Sequence, residues 1–431
     1  MLMLRNVRLI DPASKTDGIR DILITDRKFL KIGERLILEA SMIAQAKGER
    51  LEIIDCRGLC AAPGLIDVHV HMRDPGFTYK ENISSAAKAA AAGGFTTIIG
   101  MANTNPPIDS EEGIVHVLTE GKKTGIKIKT CATVTKKMAG KELVNMKYLK
   151  ECGAVGFTDD GKPLTDAELA REAMKTAAKL KMPLSFHEEA PEYVKEPGIN
   201  HGEVSKKLGL HGAEARAESV MIERDCRLAR EYNAVINIQH LSTKEGVEIV
   251  RKAKKLGVKV HAEASPHHFS LTQEAVLKFG TNAKMNPPLR TEEDRLAIIE
   301  GIKDGTIDII ATDHAPHSSE EKAGEFVAAP SGIIGLETSL SLGIMNLVDK
   351  RYISLSKLIS CMSLEPAALY GLEGGAVKEE APADIIIFDA EKQWIYDKSF
   401  SKSSNSPWLG SELKGKVILT ICNGFIVYDG R

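Results

Sequence analysis

The sequence predicts an α/β chain: a (β/α)8 barrel of the TIM type with a small β-sandwich module built from both chain ends. Three observations carry this. Between residues 63 and 370, strand-length apolar runs alternate with Ala/Lys/Glu-rich helical stretches, and eight such strands can be counted. Both chain ends instead carry short alternating runs divided by turn residues, as small β-sandwiches do. The length, 431 residues, exceeds one ordinary domain and matches a large barrel with an appendage.

Taken in order, residues 1–62 hold candidate strands at 4–10, 21–24, 29–32 and 50–54, the first part of the sandwich. The barrel, 63–370, is expected to place strands at 65–71, 96–102, 126–134, 154–160, 183–189, 234–241, 258–264 and 307–314. Helical texture lies between them, clearest at 82–92, 166–180 and 244–256. From 371 to 431 the texture reverts to strands, at 384–388, 417–422 and 425–428, which complete the sandwich. No internal repeat or low-complexity segment interrupts this plan.

Composition narrows the class of function. Hydrophobic residues are 43% and charged residues 27%, the balance of a soluble globular enzyme. The 57 basic and 59 acidic residues leave a net charge of −2, so no basic face is expected, and with it neither nucleic acid nor anionic membrane as a partner. No secretory h-region opens the chain and no run approaches a membrane span, which points to the cytoplasm. Seven cysteines, without paired CxxC spacing, read as reduced thiols, with Cys56 and Cys60 as core residues.

The chemistry collects at the predicted strand ends, where barrels of this kind build their active sites. His69 and His71 are two apart on the first strand, so both imidazoles point to one face. The fourth strand ends in Asp159-Asp160-Gly161, the fifth in His187-Glu188, the sixth in Gln239-His240 and the eighth in Thr312-Asp313-His314. A lone histidine of this sort is most often a core residue; five strand ends agreeing is a different matter. A carboxylate between two ions, with two histidines on each side, suits a binuclear metal site. Asp313 would contact a metal and also carry the proton of an attacking water to a leaving nitrogen. The residues thus read as metal-assisted hydrolysis, or its reverse, at a carbonyl centre. Around this floor, Arg73 suits bidentate binding of a carboxylate, and Asn103, Asn286 and His317 offer further polar contacts. Together they describe a small, polar, anionic substrate. The remaining histidines read otherwise: His267 and His268 as loop or supporting residues, His201 and His211 as surface, His261 as strand packing, and His314 as packing beneath its loop. Glu188 and Glu189 read equally as ligand-orienting groups or as solvated loop carboxylates.

These residues resemble the amidohydrolase superfamily and, within it, the class I dihydroorotases. The resemblance runs over the whole chain. It rests on Pro63-Gly-Leu-Ile-Asp-Val-His-Val-His-Met-Arg73, Asn103-Thr-Asn-Pro106, Phe157-Thr-Asp-Asp-Gly161, Ser185-Phe-His-Glu188, Gln239-His-Leu-Ser242, Met285-Asn-Pro-Pro-Leu-Arg290, Ala311-Thr-Asp-His-Ala-Pro-His317 and Asn405-Ser-Pro-Trp-Leu-Gly410. It implies reversible cyclisation of N-carbamoyl-L-aspartate to (S)-dihydroorotate plus water, the third step of pyrimidine synthesis, with one or two zinc ions per subunit and two favoured. By the same resemblance His69, His71 and Asp313 would hold the more buried zinc, His187 and His240 the more exposed one, and Asp160 would bridge them, with a shared hydroxide as nucleophile. Arg73, Asn103 and His317 would hold the α-carboxylate, Asn286 would contact the ring amide, and the segment around Ser331 and Gly332 would present backbone groups to the ring. A homodimer is implied, and association with aspartate transcarbamoylase is compatible with it.

Two features depart from the wider family pattern. Most relatives bridge the metals with a carboxylated lysine on the fourth strand, where this chain has Asp-Asp-Gly and Lys162 only beyond the turn. Ser331 stands where many relatives carry a bulkier residue. The rival enzymes are hydantoinase and allantoinase, against which Arg73 argues because their substrates lack a ring carboxylate. A non-catalytic scaffold paralogue is the other rival; such chains lose ligands, and this one keeps all six. The polar, Gly-containing segment 318–329 is a candidate lid.

Overall fold

The computed structural model describes residues 1–431. At the amino end, β1 (Leu2–Asp11) pairs antiparallel with β2 (Thr16–Thr25), and β2 with β3 (Lys28–Gly33). A helix, Ile37–Lys47, follows where the sequence reading expected only strands. Its start has no side-chain cap and its apolar residues follow no clear stripe, so the pattern that normally announces a helix is missing. The short β4 (Glu52–Asp55) and β5 (Cys60–Pro63) then run parallel to β1.

From the carboxyl end come β14 (Ile385–Ile395), β15 (Glu412–Cys422) and β16 (Phe425–Asp429). The strands of both ends join into one eight-stranded sheet, ordered β16-β15-β14-β5-β1-β2-β3 with β4 also on β1. The joining strand is β5, parallel to β1 on one side and antiparallel to β14 on the other. Its sequence, Cys-Ala-Ala-Pro, is buried throughout and shows no alternation, which is why periodicity did not reveal it. A core from both ends packs Leu4, Val7 and Ile22 with Ile385, Ile387 and Leu419.

Between these ends lie eight parallel strands: β6 (Leu65–Val70), β7 (Phe95–Gly100), β8 (Lys127–Thr130), β9 (Phe157–Thr158), β10 (Leu184–Phe186), β11 (Ile236–Ile238), β12 (Val260–Ala264) and β13 (Ile309–Ile310). They form a three-stranded and a five-stranded sheet, each in sequence order. Isolated parallel bridges Ala132–Phe157 and Val70–His314 connect the two sheets at both seams. The helices match their predicted places: Ile83–Ala92 capped by Asn82, Ala167–Leu180 capped by Asp166, and Lys244–Lys255 capped by Thr243. Each turns its small and aliphatic side chains, such as Ala170, Ala173, Met174 and Ala177, toward the strands. No helix is long and apolar enough to cross a membrane.

The strands are shorter than the sequence reading placed them. The run 154–160 contributes only Phe157–Thr158 to the ladder, and 307–314 only Ile309–Ile310. The residues that follow have left strand geometry: His240 has φ 35° and Asp313 φ 47°, both left-handed. A chain in that conformation cannot continue a strand, so apolar texture runs on while hydrogen bonding stops.

Sheet and barrel meet at Gly64, the single residue between β5 and β6. A Cβ there would lie 2.2 Å from Thr96 Oγ1 and 2.4 Å from its Cγ2. Both positions are buried, so Gly64→Ala forces overpacking at the junction. We expect a loss of about 1–3 kcal/mol, seen as a lower midpoint in thermal unfolding, with partial recovery in the Gly64→Ala/Thr96→Ala double variant. A Gly64→Ala midpoint equal to wild type would show that the junction is not tightly packed.

Candidate metal centre

The first barrel strand sets the site. On β6, His69 is fully buried, and His71 follows one residue past the strand end. Asp67, two residues earlier on the same face, accepts the backbone N–H of His69 at 3.0 Å and that of Thr312 at 3.2 Å. This fastens the end of β6 to the end of β13. Burial pushes the Asp67 carboxyl up to about 7.

The six predicted metal ligands converge on one point. Nε2 of His71 is 3.0 Å from Asp313 Oδ1 and 3.4 Å from Asp160 Oδ2, and Nε2 of His69 is 3.4 and 3.5 Å from the same two acids. On the other side, His187 Nδ1 and His240 Nε2 lie 2.9 Å apart, at 3.7 and 3.5 Å from Asp160 Oδ1. Ligands 2.0–2.2 Å from a tetrahedral ion stand roughly 3.3–3.6 Å from one another. Four of the seven separations fall in that range and the other three, at 2.9, 3.0 and 3.7 Å, lie close to it, with Asp160 common to both sides. Two of the atoms involved, His69 Nε2 and Asp160 Oδ1, are buried without a hydrogen-bond partner. Orphaned polar atoms of this kind, facing each other, are what a cation between them would satisfy. The donor set of imidazoles and carboxylates suits a divalent ion such as zinc.

Electrostatics reinforces the geometry. Burial alone would raise the Asp160 and Asp313 carboxyls, but the surrounding histidines outweigh it and hold both below the usual carboxylate range. The neighbour Asp159 faces elsewhere: its carboxylate accepts the backbone N–H groups of Val134 and Thr135 and the Thr135 hydroxyl. Lys162 is exposed.

A cleft of about 240 Å³ opens above this cluster. It is smaller than a drug-sized pocket and sized for a small molecule. All the predicted site residues except His69 and Gly332 line it. Arg73, in a left-handed conformation at φ 58°, donates to Pro316 O and to His317 Nε2, both at 3.2 Å, and forms no ion pair. His317 is held down at about 2 by burial and by the Arg73 and Lys80 cations, so it stays neutral. Asn103 lies at the rim but is turned inward. Its Oδ1 accepts from His71 Nδ1 at 2.9 Å and its Nδ2 approaches Asp160 at 3.3 Å. Asn286 donates to Glu189 at 3.2 Å, while its Oδ1 is buried without a partner. Ser331 reaches the cleft. Gly332 does not: its N–H donates to Lys284 O, its carbonyl accepts from Lys322 and Asn405, and a Cβ there would sit 2.4 Å from Ala315 O.

Other expectations meet mixed outcomes. His314 packs beneath its loop, bonded to Glu81 at 3.3 Å and accepting from Gly335 N. His261 pairs with Asp308 at 2.9 Å, and His201 and His211 stack at 4.3 Å in the insertion. Glu188 is buried, not solvated, beside Asp225, and burial holds its carboxyl well above the usual range. Sequence reasoning missed three groups. Lys284 Nζ donates to the carbonyls of Phe326, Val327 and Ala329, and Lys322 Nζ to those of Pro330 and Gly332, so two buried ammonium groups pin the candidate lid. Glu263 on β12 contacts His69 Nδ1 at 3.0 Å. A lysine or glutamate amid strand and loop texture carries no sequence signal for such a role.

Comparison with known proteins places this geometry. The model of the amidohydrolase family matches residues 60–427. Among curated relatives, a dihydroorotase of Clostridioides difficile is 55% identical, one of Clostridium acetobutylicum 48% and one of Lactococcus lactis 48%, each covering 100% of both chains. Among solved structures, an L-hydantoinase of Arthrobacter aurescens superposes with a TM-score of 0.85 at 24% identity, covering 100% of this chain and 96% of its own. A dihydropyrimidinase of Brevibacillus agri gives 0.82 at 22%, over 99% and 95%. At such identities the likeness is one of fold: a TIM barrel with a β-sandwich. With the family model spanning most of the chain and full-length relatives near half identical, the chain belongs to the amidohydrolase family, on its dihydroorotase branch.

Proposed function

We propose that the chain is a zinc-dependent dihydroorotase, closing N-carbamoyl-L-aspartate to (S)-dihydroorotate and water, and the reverse, in pyrimidine synthesis. The observation that carries it is the Arg73 guanidinium, free of any carboxylate partner, opening on the same cleft as the histidine–aspartate cluster. A substrate bearing its own carboxylate completes that pairing; hydantoin and allantoin have none to offer. The solved hydantoinases resemble this chain in fold only, and the scaffold reading finds no lost ligand to rest on.

In this reading the barrel is closed and the chain divides at 62/63 and 370/371. His69, His71 and Asp313 would hold one zinc and His187 and His240 a second, with Asp160 a ligand common to both groups. When bound, the ions supply a water of lowered pKa and polarise the reacting carbonyl. The chain's own groups do the rest. Arg73 binds the α-carboxylate, assisted by neutral His317, whose ring Arg73 already fixes. Asn103, whose Nδ2 donates to Asp160 O and Oδ2, borders the carboxylate position, and the free Oδ1 of Asn286 is available to the ring N–H. Ser331 lines the cleft, and Gly332 holds the turn behind it through Lys284, Lys322 and Asn405. Asp313 handles the proton. In ring closure the ureido nitrogen attacks the side-chain carboxyl carbon, and Asp313 accepts the proton it loses. That proton, with one from solvent, leaves with the departing oxygen as water; hydrolysis runs the same path backwards. The absence of disulfides among the seven cysteines supports a cytoplasmic setting. A homodimer, and association with aspartate transcarbamoylase, belong to the same reading; light scattering of the chain alone and mixed with the transcarbamoylase tests both.

Three outcomes are expected. Purified protein should contain zinc and interconvert carbamoyl-aspartate and dihydroorotate while leaving hydantoin and allantoin untouched. Turnover of hydantoin instead would move the assignment to the rival class. Asp313→Asn should lower kcat by about 10²–10⁴ while zinc content, read by elemental analysis, falls by at most one ion. Normal turnover would remove Asp313 from the proton path. Arg73→Gln should raise KM for carbamoyl-aspartate by roughly tenfold to a hundredfold, the worth of one charge-assisted hydrogen-bond pair. A change in thermal stability with KM unmoved would end the carboxylate-clamp idea.

A further inference from the structure

Glu263 is fully buried on β12 and lies outside the cleft lining. Its Oε2 is 3.0 Å from His69 Nδ1, and its Oε1 accepts from Asn237 Nδ2 at 2.5 Å. Asn237 also donates to Ser185 Oγ at 3.2 Å, and that hydroxyl is 2.7 Å from the Tyr370 hydroxyl. A buried polar chain therefore runs beneath the cluster, from Tyr370 to His69, and Glu263 is its only carboxylate.

Each candidate ligand histidine is held differently from behind. His71 Nδ1 faces the neutral amide of Asn103 at 2.9 Å. Nδ1 of His240 has no partner, and Nε2 of His187 faces Asn286 at 3.4 Å and Glu189 at 3.6 Å. Only His69 has a carboxylate at hydrogen-bond distance on the ring nitrogen that faces away from the cluster. A carboxylate there requires the proton on Nδ1 and leaves the Nε2 lone pair facing Asp160 and Asp313. Charge points the same way. With neutral histidines, Asp160 and Asp313 balance a single divalent cation. A third buried negative charge directly behind His69 offsets part of the second.

We propose that Glu263 is a positioning residue that fixes His69 in its metal-binding tautomer and supplies the charge that lets this cluster hold two divalent ions. The proposal rests on the metal reading above.

The test compares wild type with Glu263→Gln, metal-stripped and then titrated with zinc against a chelator, with thermal midpoints taken before and after loading. Glu263→Gln is expected to weaken zinc binding about tenfold to a hundredfold, chiefly for the second ion. It should shrink the zinc-induced rise in midpoint while leaving the metal-free midpoint no lower than wild type, because a buried charge has been removed. A variant that binds zinc as wild type does would overturn the proposal. So would one that loses stability only in the metal-free form, the mark of a merely structural role. Wild type that binds no zinc would overturn the metal reading and this proposal together, which separates the two failures. Glu263→Asp covers the case in which Glu263→Gln does not fold. It keeps the charge but withdraws it by one methylene, so zinc affinity should fall severalfold, and unchanged affinity would again refute the role.

Discussion

Asp160 and Asp313 must stay ionised while buried, and much of the molecule is arranged around that requirement. Removing a carboxylate from water costs several kcal/mol unless partners replace the water. Here the partners arrive from every side of the barrel. Imidazoles come from the ends of β6, β10 and β11, and each acid lies within 4 Å of at least two of them. These groups are in turn tied to one another from behind. Asp67 joins the His69 backbone to Thr312, Asn103 spans from His71 to Asp160, and Glu263 reaches His69 from β12. His69, His71 and Asp160 are thus each held from another strand or strand end as well as from their own. The eight-strand order is thereby coupled to the electrostatics: a shift in one strand end would misplace a charge on another.

The same rule operates with opposite sign in the segment after β13. Lys284 and Lys322 are nearly as buried as the acids, yet neither has a carboxylate partner; their ammonium groups are satisfied by five backbone carbonyls. Burial and the neighbouring Lys284 pull Lys322 down to about 7. A candidate lid built this way is ordered by its own peptide groups, without drawing an acid away from the cluster.

Much of this was legible in the sequence because period and spacing are local. A spacing of two puts His69 and His71 on one strand face, and alternation of strand and helix texture marks the eight units in order. The helix caps Asn82, Asp166 and Thr243 stand where the helices begin. What the sequence hid was non-local or conformational. Asp159 and Asp160 are chemically identical, and only the fold shows that the first is consumed by Val134 and Thr135. The left-handed backbone at Arg73, His240 and Asp313 leaves no compositional mark, because such strain persists only when surrounding structure enforces it. Helix 37–47 lacks the stripe that announces helices, and β5 lacks alternation because both its faces are covered. Glu263 is separated from His69 by 194 residues, so its contact exists only once the strands stand side by side.

The cleft is polar in a directional sense, and this bears on which substrate it admits. Its floor is acidic and ligating. One wall instead carries Arg73 and His317, and buried Lys80, which contacts the His317 ring, pairs with Glu321 at 3.0 Å. Arg73 donates to His317 Nε2, so the single N–H of the neutral ring sits on Nδ1, facing the Glu321 carboxylate at 3.3 Å with the Lys80 ammonium alongside. Neutral His317 thus acts as a spacer that fixes Arg73 without neutralising it, leaving one uncompensated guanidinium at the rim. A substrate with a carboxylate at one end and a reacting carbonyl at the other is oriented by that asymmetry alone. A ring lacking the carboxylate would leave the buried side of Arg73 desolvated and unpaired, a penalty of about 1–3 kcal/mol. Discrimination against the hydantoin-type ring then comes from the cost of an unmet charge, with no need for a steric barrier.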